Sequence, residues 1–241
     1  MTVMTSLAHR LRSARLYLCT DARERQGDLD AFLRAAFAGG VDVVQIRQKN
    51  MARDAELAAL EVARSAAVAT QGIVCVNDSP KVAKAFAADM LHLGQTDGSA
   101  KRARRSLHEW ALIGRSTHTP AQLEQAAADP GVDYFAVGPV HATPTKPDYV
   151  PVGLDLVRHA AQVAPVGDVS SKPWFAIGGL DADNLDQVVE AGARRVVVVR
   201  AITEASDPEA AARVLKDRLR RAWSDDPALA SYALRSAALD A

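Results

Sequence analysis

The stretch Asp133-Tyr-Phe-Ala-Val-Gly-Pro-Val-His-Ala-Thr-Pro-Thr-Lys146 passes from an apolar strand into a polar loop. Tyr134 to Val137 are apolar and of types that favour β-strands, and Gly138 and Pro139 end the strand. The loop then offers two hydroxyls and a cation between prolines: Thr143, Pro144, Thr145, Lys146 and Pro147. A stiff polar loop suits the binding of an anion, although a solvated turn would explain the loop taken alone. The same transition from strand to polar loop recurs along the whole chain, which favours a binding site.

The rest of the chain alternates short apolar segments with longer amphipathic segments that are rich in alanine and leucine. The predicted strands are Leu16–Thr20, Asp42–Arg47, Ile73–Asn77, Met90–Gly94, Leu112–Ser116, Tyr134–Gly138, Trp174–Ile177 and Arg195–Arg200. The predicted helices are roughly Leu29–Ala38, Asp54–Thr70, Pro80–Ala87, Ala100–Glu109, Pro120–Ala128, Gly153–Val163, Ala182–Ala191 and Asp207–Trp223. Strands that alternate with helices predict a parallel sheet covered by helices.

Eight such pairs in 241 residues predict one α/β domain, a closed (β/α)8 TIM barrel over about residues 16–223. We expect residues 224–241 to form a tail, either a short added helix or a frayed end, without a catalytic role. An open doubly wound sheet is the alternative. It would normally carry a glycine-rich turn after its first strand, and residues 20–24 do not provide one.

The composition limits the possible partners. Lys plus Arg equals Asp plus Glu at 29 each, and only 5% of residues are aromatic, so nothing favours a nucleic-acid or membrane partner. No apolar run approaches the ~18 residues of a membrane span. Residues 1–15 lack the apolar stretch of a signal peptide. Cys19 and Cys75 lie in apolar runs, which predicts buried thiols and a cytoplasmic protein. A homo-oligomer stays open.

In a barrel of this type the chemistry takes place at the C-terminal ends of the strands. Side chains alternate faces along a strand, so Gln45, Arg47 and Lys49 would share the side of the barrel mouth. Val44 and Ile46 would then face the helices. An arginine at a strand end is often only a surface cation, but three polar groups of one parity favour a site.

Carboxylates stand at the ends of the third and fourth strands. Asp78 and Asp97 could together form a hard oxygen site for Mg²⁺, which accepts few protein carboxylates and leaves positions for phosphate oxygens. Asp78 could instead cap the next helix, and Asp97 with Gly98 could be a plain turn. His92 lies inside an apolar strand, and we interpret it as a hydrogen-bonded core histidine.

The remaining strand ends carry small residues. Gly114 and Ser116 have the same parity, and their small size suggests close approach by a ligand. Loops after the seventh and eighth strands of such barrels commonly bind a phosphate through backbone N–H groups. Gly179 would let the backbone approach, and Arg200 could add a charge-assisted contact. A tight turn at Gly178-Gly179 is the structural alternative.

The side chains and backbone groups at the strand ends could together form two anion-binding sites. One ion pair at ~4 Å contributes only about 4 kcal/mol at an effective dielectric near 20. Several cations and a metal are therefore needed if a diphosphate is to leave, and the predicted mouth offers Arg47, Lys49 and Lys146 beside its two carboxylates. The residues favour a metal-assisted transfer in which one substrate loses diphosphate and a second, phosphorylated substrate attacks.

The chain resembles the thiamine phosphate synthase family from Leu16 to about Leu215. The matching motifs are Gln45-Ile-Arg-Gln-Lys49, Val76-Asn-Asp78, His92-Leu-Gly-Gln-Thr-Asp97, Gly114-Arg-Ser-Thr-His118, Gly138-Pro-Val-His-Ala-Thr-Pro-Thr-Lys146 and Ala176-Ile-Gly-Gly179. The family joins hydroxymethylpyrimidine diphosphate to thiazole phosphate, which gives thiamine phosphate and diphosphate. Its mechanism is dissociative: diphosphate departs first, and the thiazole nitrogen captures the resulting cation.

The resemblance implies three groups of site residues. Residues implied for the pyrimidine diphosphate are Gln45, Arg47, Lys49, Asn77, Ser116 and Lys146, with Arg47, Lys49, Ser116 and Lys146 as the catalytic ones. Asp78 and Asp97 would hold Mg²⁺. Residues implied for the thiazole phosphate are Thr143, Pro144, Thr145, Gly179, Val199 and Arg200. Many members have serine where Arg200 stands, so the phosphate contact there could come from backbone or side chain.

Two other functions compete with this one. A thiazole tautomerase of the same superfamily would transfer a proton and would need no diphosphate site. A barrel without activity that senses thiamine phosphates would bind its ligand without turnover. The full set of cations and carboxylates favours the synthase.

Overall fold

The computed structural model describes residues 6–143 and 150–238 of the chain. Within these ranges eight parallel strands form a closed barrel in sequence order, and the last strand pairs with the first. The strands are β1 (Leu16–Thr20), β2 (Val43–Ile46), β3 (Ile73–Asn77), β4 (Met90–Leu93), β5 (Leu112–Thr117), β6 (Tyr134–Val137), β7 (Trp174–Ile177) and β8 (Val196–Val198). The predicted TIM barrel is confirmed.

A helix follows each strand and covers the barrel, and one further helix precedes the first strand. They are α1 (Leu7–Ser13), α2 (Leu29–Ala38), α3 (Arg53–Ala67), α4 (Pro80–Phe86), α5 (Ala100–Arg104), α6 (Pro120–Ala128), α7 (Gly153–Val163), α8 (Leu185–Glu190), α9 (Arg200–Thr203), α10 (Pro208–Ser224) and α11 (Tyr232–Ala238). Short 3-10 turns occupy Val68–Thr70 and Pro227–Leu229. Across the described residues, no helix is long and apolar enough to cross a membrane.

Several predicted boundaries were wrong, including the start of α8, which is Leu185 and not Ala182, and the end of α3, which is Ala67 and not Thr70. The eighth strand ends at Val198 and not at Arg200, because Val199 has a ψ of −88°, and the chain then turns into α9. Helix α5 ends at Arg104 and not at Glu109, because the N–H groups of residues 105–107 bond three residues back and the chain tightens into turns. Helices α1 and α9 were not predicted.

Alternation along the strands separates two apolar layers. Inward-facing side chains fill the barrel interior and include Tyr17, Val43, Cys75, Met90, Tyr134 and Phe175. Outward-facing side chains such as Val44, Ile46 and Phe135 pack against the helices. The predicted outward direction of Val44 and Ile46 is therefore confirmed. The two cysteines are buried free thiols, also as predicted.

Polar side chains fix the starts of several helices. Thr119 accepts a hydrogen bond from the Gln122 N–H at the start of α6, and the prolines that follow Thr119 and Asp207 occupy first-turn positions. Asp207 likewise accepts from the Ala210 N–H at the start of α10. These caps satisfy backbone N–H groups that have no partner within the helix.

The N-terminal end of the barrel is closed by added elements. Leu7 and Leu11 of α1 pack against the interior cluster of the barrel. Helix α11 contacts α1, and the Tyr232 ring of α11 lies edge-on to the Trp223 ring of α10 at 5.3 Å. The C-terminal segment therefore contains the short added helix that was one of the two expectations for it, and it lies at the end opposite the catalytic end of such barrels.

Candidate active site

A cavity of about 500 Å³ opens at the C-terminal ends of the strands. It is lined by every predicted site residue that the structure describes: Gln45, Arg47, Lys49, Asn77, Asp78, Asp97, Ser116, Thr143, Gly179, Val199 and Arg200. Pro144, Thr145 and Lys146 lie outside the described residues. The strand ends thus bring together side chains that are up to about 150 positions apart in sequence, as expected for a parallel barrel.

Strand β2 places an amide on the floor of the cavity. Gln45 is only 3% exposed, and its Oε1 lies 3.0 Å from the Sγ of Cys19. Its Nε2 lies 3.7 Å from the Sγ of Cys75. The two thiols hold the amide from both sides, and Arg47 and Lys49 follow on the same side of the strand and reach the cavity. The predicted parity of these three residues is confirmed, while their ligands remain a prediction.

Strand β3 is followed by a carboxylate in an unusual backbone conformation. Asp78 has a φ of +57°, in the left-handed region that a residue other than glycine seldom adopts. Ser79, and not Asp78, caps α4 by accepting from the Val82 N–H. The alternative role of Asp78 as a helix cap is therefore wrong. The backbone turn leaves the carboxylate at the cavity wall, where the Asn77 amide donates to it at 2.7 Å.

The second carboxylate lies close to the first. Burial, together with hydrogen bonding and charge repulsion from Asp97, raises the pKa of Asp78 to about 6, while Asn77 and Arg47 act in the opposite direction. These influences place Asp78, Asp97 and Arg47 within one electrostatic cluster. The Oδ2 of Asp97 also accepts the Gly94 N–H at 2.7 Å, so Asp97 shapes its turn as well as lining the cavity.

This carboxylate pair fits a divalent cation. The described residues contain no group of three or more His, Cys, Asp or Glu side chains that could enclose a metal. Mg²⁺ is commonly bound through one or two carboxylates plus substrate phosphates and water, so a pair is the expected donor set. A cation between Asp78 and Asp97 would also remove the repulsion that raises the Asp78 pKa.

An arginine that was not predicted as a site residue holds the loop that carries Asp97. The guanidinium of Arg115 on β5 donates to the carbonyl oxygens of Gly94 at 2.6 Å and of Gly98 at 2.7 Å. These two carbonyls flank Asp97. The alternation of side chains along β5 could have identified this arginine. Arg115 has the opposite parity to Ser116, so it lies outside the barrel interior, beside the adjacent loop.

Strands β4, β5 and β6 form a hydrogen-bonded group at the cavity floor. His92 Nε2 lies 2.9 Å from the Ser116 Oγ, and His92 Nδ1 lies 2.9 Å from the Tyr134 hydroxyl. The interpretation of His92 as a hydrogen-bonded core histidine is confirmed, and the residue also lines the cavity. The expectation that a ligand approaches Gly114 is wrong: a Cβ there would lie 2.0 Å from the Tyr134 ring, which fills that space.

The opposite side of the cavity is built largely from backbone. Gly178 and Gly179 have φ values of +109° and +64°, which glycine adopts without strain. A Cβ on Gly179 would lie 2.9 Å from the carbonyl oxygen of Ala142, so the β6 and β7 loops approach closely here. The chain enters α9 at Arg200, where the N–H groups of Ile202 and Thr203 donate to the Val199 carbonyl and those of Arg200 and Ala201 precede the first helical hydrogen bond.

Further residues of this cavity were not predicted as site residues. The additional polar lining residues include Gln95, Thr96, Asp181 and Glu204. His118 also lines the cavity and contacts the Gly138 carbonyl through Nδ1. Gln95 donates to the Ser116 carbonyl. Asp181 precedes α8 and Glu204 follows α9. An acidic residue at a helix end does not show, from the sequence, whether it belongs to a site or to the surface.

Comparisons with known proteins agree with this architecture. A sequence profile described as thiamine monophosphate synthase matches residues 16–202. Thiamine-phosphate synthase of Streptomyces avermitilis is 56% identical over 213 residues, which is 88% of this chain and 97% of that protein. The same enzyme of Thermobifida fusca is 55% identical over 214 residues, covering 89% and 96%. A thiamine phosphate pyrophosphorylase from Pyrococcus furiosus superposes with a TM-score of 0.77 at 26% identity, covering 90% of this chain and 99% of that one. This chain belongs to the thiamine monophosphate synthase family.

Proposed function

We propose that the protein condenses hydroxymethylpyrimidine diphosphate with thiazole phosphate and releases thiamine phosphate and diphosphate. One observation carries the proposal beyond family membership. Two cations, Arg47 and Lys49, and two carboxylates, Asp78 and Asp97, line the same cavity as the Gly178-Gly179 turn. A reaction with a diphosphate leaving group and a phosphorylated nucleophile needs two such anion sites in one space.

The diphosphate is assigned to the side of the cavity formed by β2 to β5. Arg47 can bind two phosphate oxygens through its planar guanidinium, whereas Lys49 acts as a compact charge. Ser116 offers a hydroxyl from the floor, and Lys146 is proposed to complete the set from the loop after β6. Gln45 and Asn77 present amides on the same side, which suits the hydrogen-bonding edge of an aminopyrimidine.

Asp78 and Asp97 are the proposed magnesium ligands. Bound Mg²⁺ would neutralise charge that develops on the leaving diphosphate. The two carboxylates are supported in this role by their shared environment. Burial first, and then the neighbouring Asp97, raises the pKa of Asp78, and a bound cation would offset both effects. Asn77 and Gly94 orient the pair through hydrogen bonds of 2.7 Å each.

The thiazole phosphate is assigned to the glycine turn after β7 and the start of α9. Gly179 and the backbone at Val199 and Arg200 line this side, and Thr143 faces the same cavity from the β6 loop. Backbone N–H groups bind a phosphate without needing a flexible charged side chain. Exposed Arg200 can add its charge from the rim. Binding both substrates at once in about 500 Å³ would hold the thiazole nitrogen close to the pyrimidine methylene carbon.

The chemical step requires no general base. The bond between the methylene carbon and the diphosphate oxygen breaks, and its electron pair leaves with the diphosphate. The lone pair of the thiazole nitrogen then forms the new carbon–nitrogen bond. The protein positions the two partners, stabilises the departing anion with Arg47, Lys49 and Ser116, and keeps competing water from the cation.

Incubation with both substrates and Mg²⁺ tests the proposal directly. Thiamine phosphate and diphosphate should form in equal amounts, and omission of either substrate should abolish both products. A thiazole tautomerase would instead isomerise a thiazole phosphate precursor without a pyrimidine substrate. A non-catalytic sensor would bind thiamine phosphate and yield no product in the same assay. Either of these two outcomes would contradict the proposal.

We also propose that the protein works in the cytoplasm with small-molecule substrates alone. The buried free thiols of Cys19 and Cys75 support a reducing compartment. A homo-oligomer stays a prediction, for which light scattering at working concentration is the direct measurement.

A further inference from the structure

We propose that His92 and Tyr134 are positioning residues that turn the Ser116 hydroxyl into an obligatory hydrogen-bond donor toward the anionic substrate. Tyr134 donates to His92 Nδ1, His92 Nε2–H donates to Ser116 Oγ, and the Ser116 proton is left for the ligand. The inference rests on the proposed function for the identity of that ligand, a diphosphate. The hydrogen-bond direction itself is a property of the free protein and can be tested without substrate.

The geometry of three neighbouring strands builds this chain of hydrogen bonds. The strand register places His92 opposite Gly114, and Gly114 opposite Tyr134. Because Gly114 has no side chain, the Tyr134 ring passes over it and its hydroxyl reaches His92 Nδ1 at 2.9 Å. Ser116, two residues along β5, then lies 2.9 Å from His92 Nε2 at the cavity floor.

The hydrogen-bond direction follows from the surroundings of Tyr134. Its side chain is fully buried, and burial raises the pKa of the phenol well above 10, so the hydroxyl keeps its proton and needs an acceptor. Its shortest hydrogen-bond contact is with His92 Nδ1 at 2.9 Å. The Cys75 Sγ at 3.9 Å is a distant and weak acceptor, and the buried Tyr17 hydroxyl nearby makes no hydrogen bond with the described residues. A phenol that donates to Nδ1 fixes the tautomer of a neutral imidazole with its proton on Nε2.

The tautomer of His92 determines whether the Ser116 hydroxyl donates or accepts. With the proton on Nε2, the Ser116 Oγ accepts the Nε2–H across 2.9 Å, so the hydroxyl proton is left for a ligand. Ser116 lines the cavity on the side of Arg47 and Lys49. A donor whose direction is fixed before binding loses no hydrogen bond to the protein when the anion arrives. With the opposite tautomer, Ser116 would donate to His92 and present lone pairs to an anion.

The first test reads the tautomer in the free protein. The ¹⁵N chemical shifts of the imidazole ring report which nitrogen carries the proton, and the His92→Gln variant assigns the signal. The proposal predicts Nε2–H in the wild type at neutral pH. An Nδ1–H tautomer, or an imidazolium ring, would overturn it whatever the enzyme catalyses. The Tyr134→Phe variant should lose the uniform tautomer, whereas Tyr232→Phe, a matched change at the opposite end of the barrel, should keep it.

The second test asks whether His92 acts through Ser116. His92→Leu should lower kcat/KM for the pyrimidine diphosphate roughly 10-fold or more, as expected for a lost donor to a charged group. His92→Gln, which keeps an acceptor toward Tyr134 and a donor toward Ser116, should recover much of the loss. The surface change His159→Gln is the control for histidine replacement. Thermal unfolding of each variant checks that it folds.

A double-mutant cycle separates positioning from packing. If His92 acts through Ser116, then His92→Leu should have little further effect on kcat/KM in a Ser116→Ala background. Additive losses would mean that His92 serves the fold or the substrate directly, and they would overturn the inference. Absence of any synthase activity in the wild type would contradict the proposed function instead, and the tautomer measurement would still decide the hydrogen-bond direction.

Discussion

At the scale of single residues, the site depends on charged side chains that lie close together on one wall of the cavity. Arg47 acts on the pKa of Asp78, and Asp97 acts on it in the opposite direction, so one cation and two carboxylates share a wall of the cavity. Groups of this kind seldom gather for the sake of stability alone, because the like charges repel. A bound diphosphate and a divalent cation would satisfy each of them.

Replacement of Arg47 should show its role in substrate binding. Arg47→Ala should lower kcat/KM for the pyrimidine diphosphate by about 10-fold or more, because a hydrogen bond to a charged group contributes about 1.5–3 kcal/mol. Steady-state kinetics with the pyrimidine as varied substrate measure the effect. Arg34→Ala, which removes exposed contacts with Asp30 and Ser65, is the control. Equal kinetics for the two variants would remove Arg47 from the site.

The Asp78 pKa predicts how stability depends on pH without metal. Its value in the folded protein, about 6, exceeds the 3.8 of a free aspartate, so the folded state binds more protons between about pH 4 and 6. Stability therefore falls as pH rises through that window and then levels. Asp78→Asn should raise the Tm above pH 6 and should have progressively less effect toward pH 4.

The effect of Mg²⁺ on the Tm gives a second test of the role of Asp78. Addition of Mg²⁺ at pH 7 should raise the Tm of the wild type by binding the folded state, and should raise that of Asp78→Asn much less. Asp155→Asn, at a surface aspartate whose side chain is 95% exposed, serves as the matched control. A Tm difference between wild type and Asp78→Asn that does not change from pH 4 to 8 would contradict the assigned pKa.

At the scale of elements, strand β5 shows how one strand serves both the core and the site. Gly114 admits the Tyr134 ring, Arg115 holds the loop of Asp97, and Ser116 lines the cavity. Alternation of side chains sends the first and third of these inward and the second outward. The spacing within this strand therefore couples the cavity floor to the wall that carries Asp97.

Enlargement of Gly114 should damage both roles. A Cβ at this position would overlap the Tyr134 ring, so Gly114→Ala should cost about 1–3 kcal/mol and displace Tyr134 from His92. Urea denaturation measures the stability, and kcat/KM of the folded variant measures the effect on the site. Gly131→Ala, where the nearest atoms lie at 3.2 Å in a loop outside the cavity, should have a smaller effect on both. Comparable losses in the two variants would contradict this account of Gly114.

The sequence was most informative where apolar runs have clear ends. Strands β1, β3 and β7 match their predicted bounds. Polar residues or a glycine end the apolar run of each strand, so its last residue is clear from the sequence. β8 was extended wrongly, since Val199 is apolar and nothing in the local sequence marks its turn. Helix α1 was missed because seven residues carry too little periodicity. Gly114 was misinterpreted because its neighbour, Tyr134, is adjacent only through strand pairing.

At the scale of the whole molecule, the barrel separates stability from chemistry. The described part of the cavity lies at the C-terminal ends of the strands, and the added helices α1 and α11 close the other end. At that N-terminal end Lys216 of α10 also pairs with Asp42, which accepts the N–H groups of Arg15 and Leu16 at the start of β1. This contact ties the last long helix to the first two strands.

Loss of the Lys216–Asp42 ion pair should lower the free energy of unfolding and leave the activity of the folded protein unchanged. Asp42→Ala leaves the Lys216 side chain, 4% exposed, without its carboxylate, and should cost about 3 kcal/mol in the free energy of unfolding. Asp30→Ala, which breaks an exposed pair, should cost about 0–1 kcal/mol. Chemical denaturation compares the two variants. Unchanged stability in Asp42→Ala, or a loss of activity in its folded fraction, would contradict the division between the two ends.

The central claim is that strand-end cations and a carboxylate-bound divalent ion together release diphosphate inside one barrel mouth. The most direct measurement follows thiamine phosphate formation against Mg²⁺ concentration for the wild type and for Asp97→Ala. We predict that the wild type requires Mg²⁺, and that the variant loses turnover or needs far more Mg²⁺ to recover it. Identical magnesium dependence and turnover in the two proteins would contradict the claim.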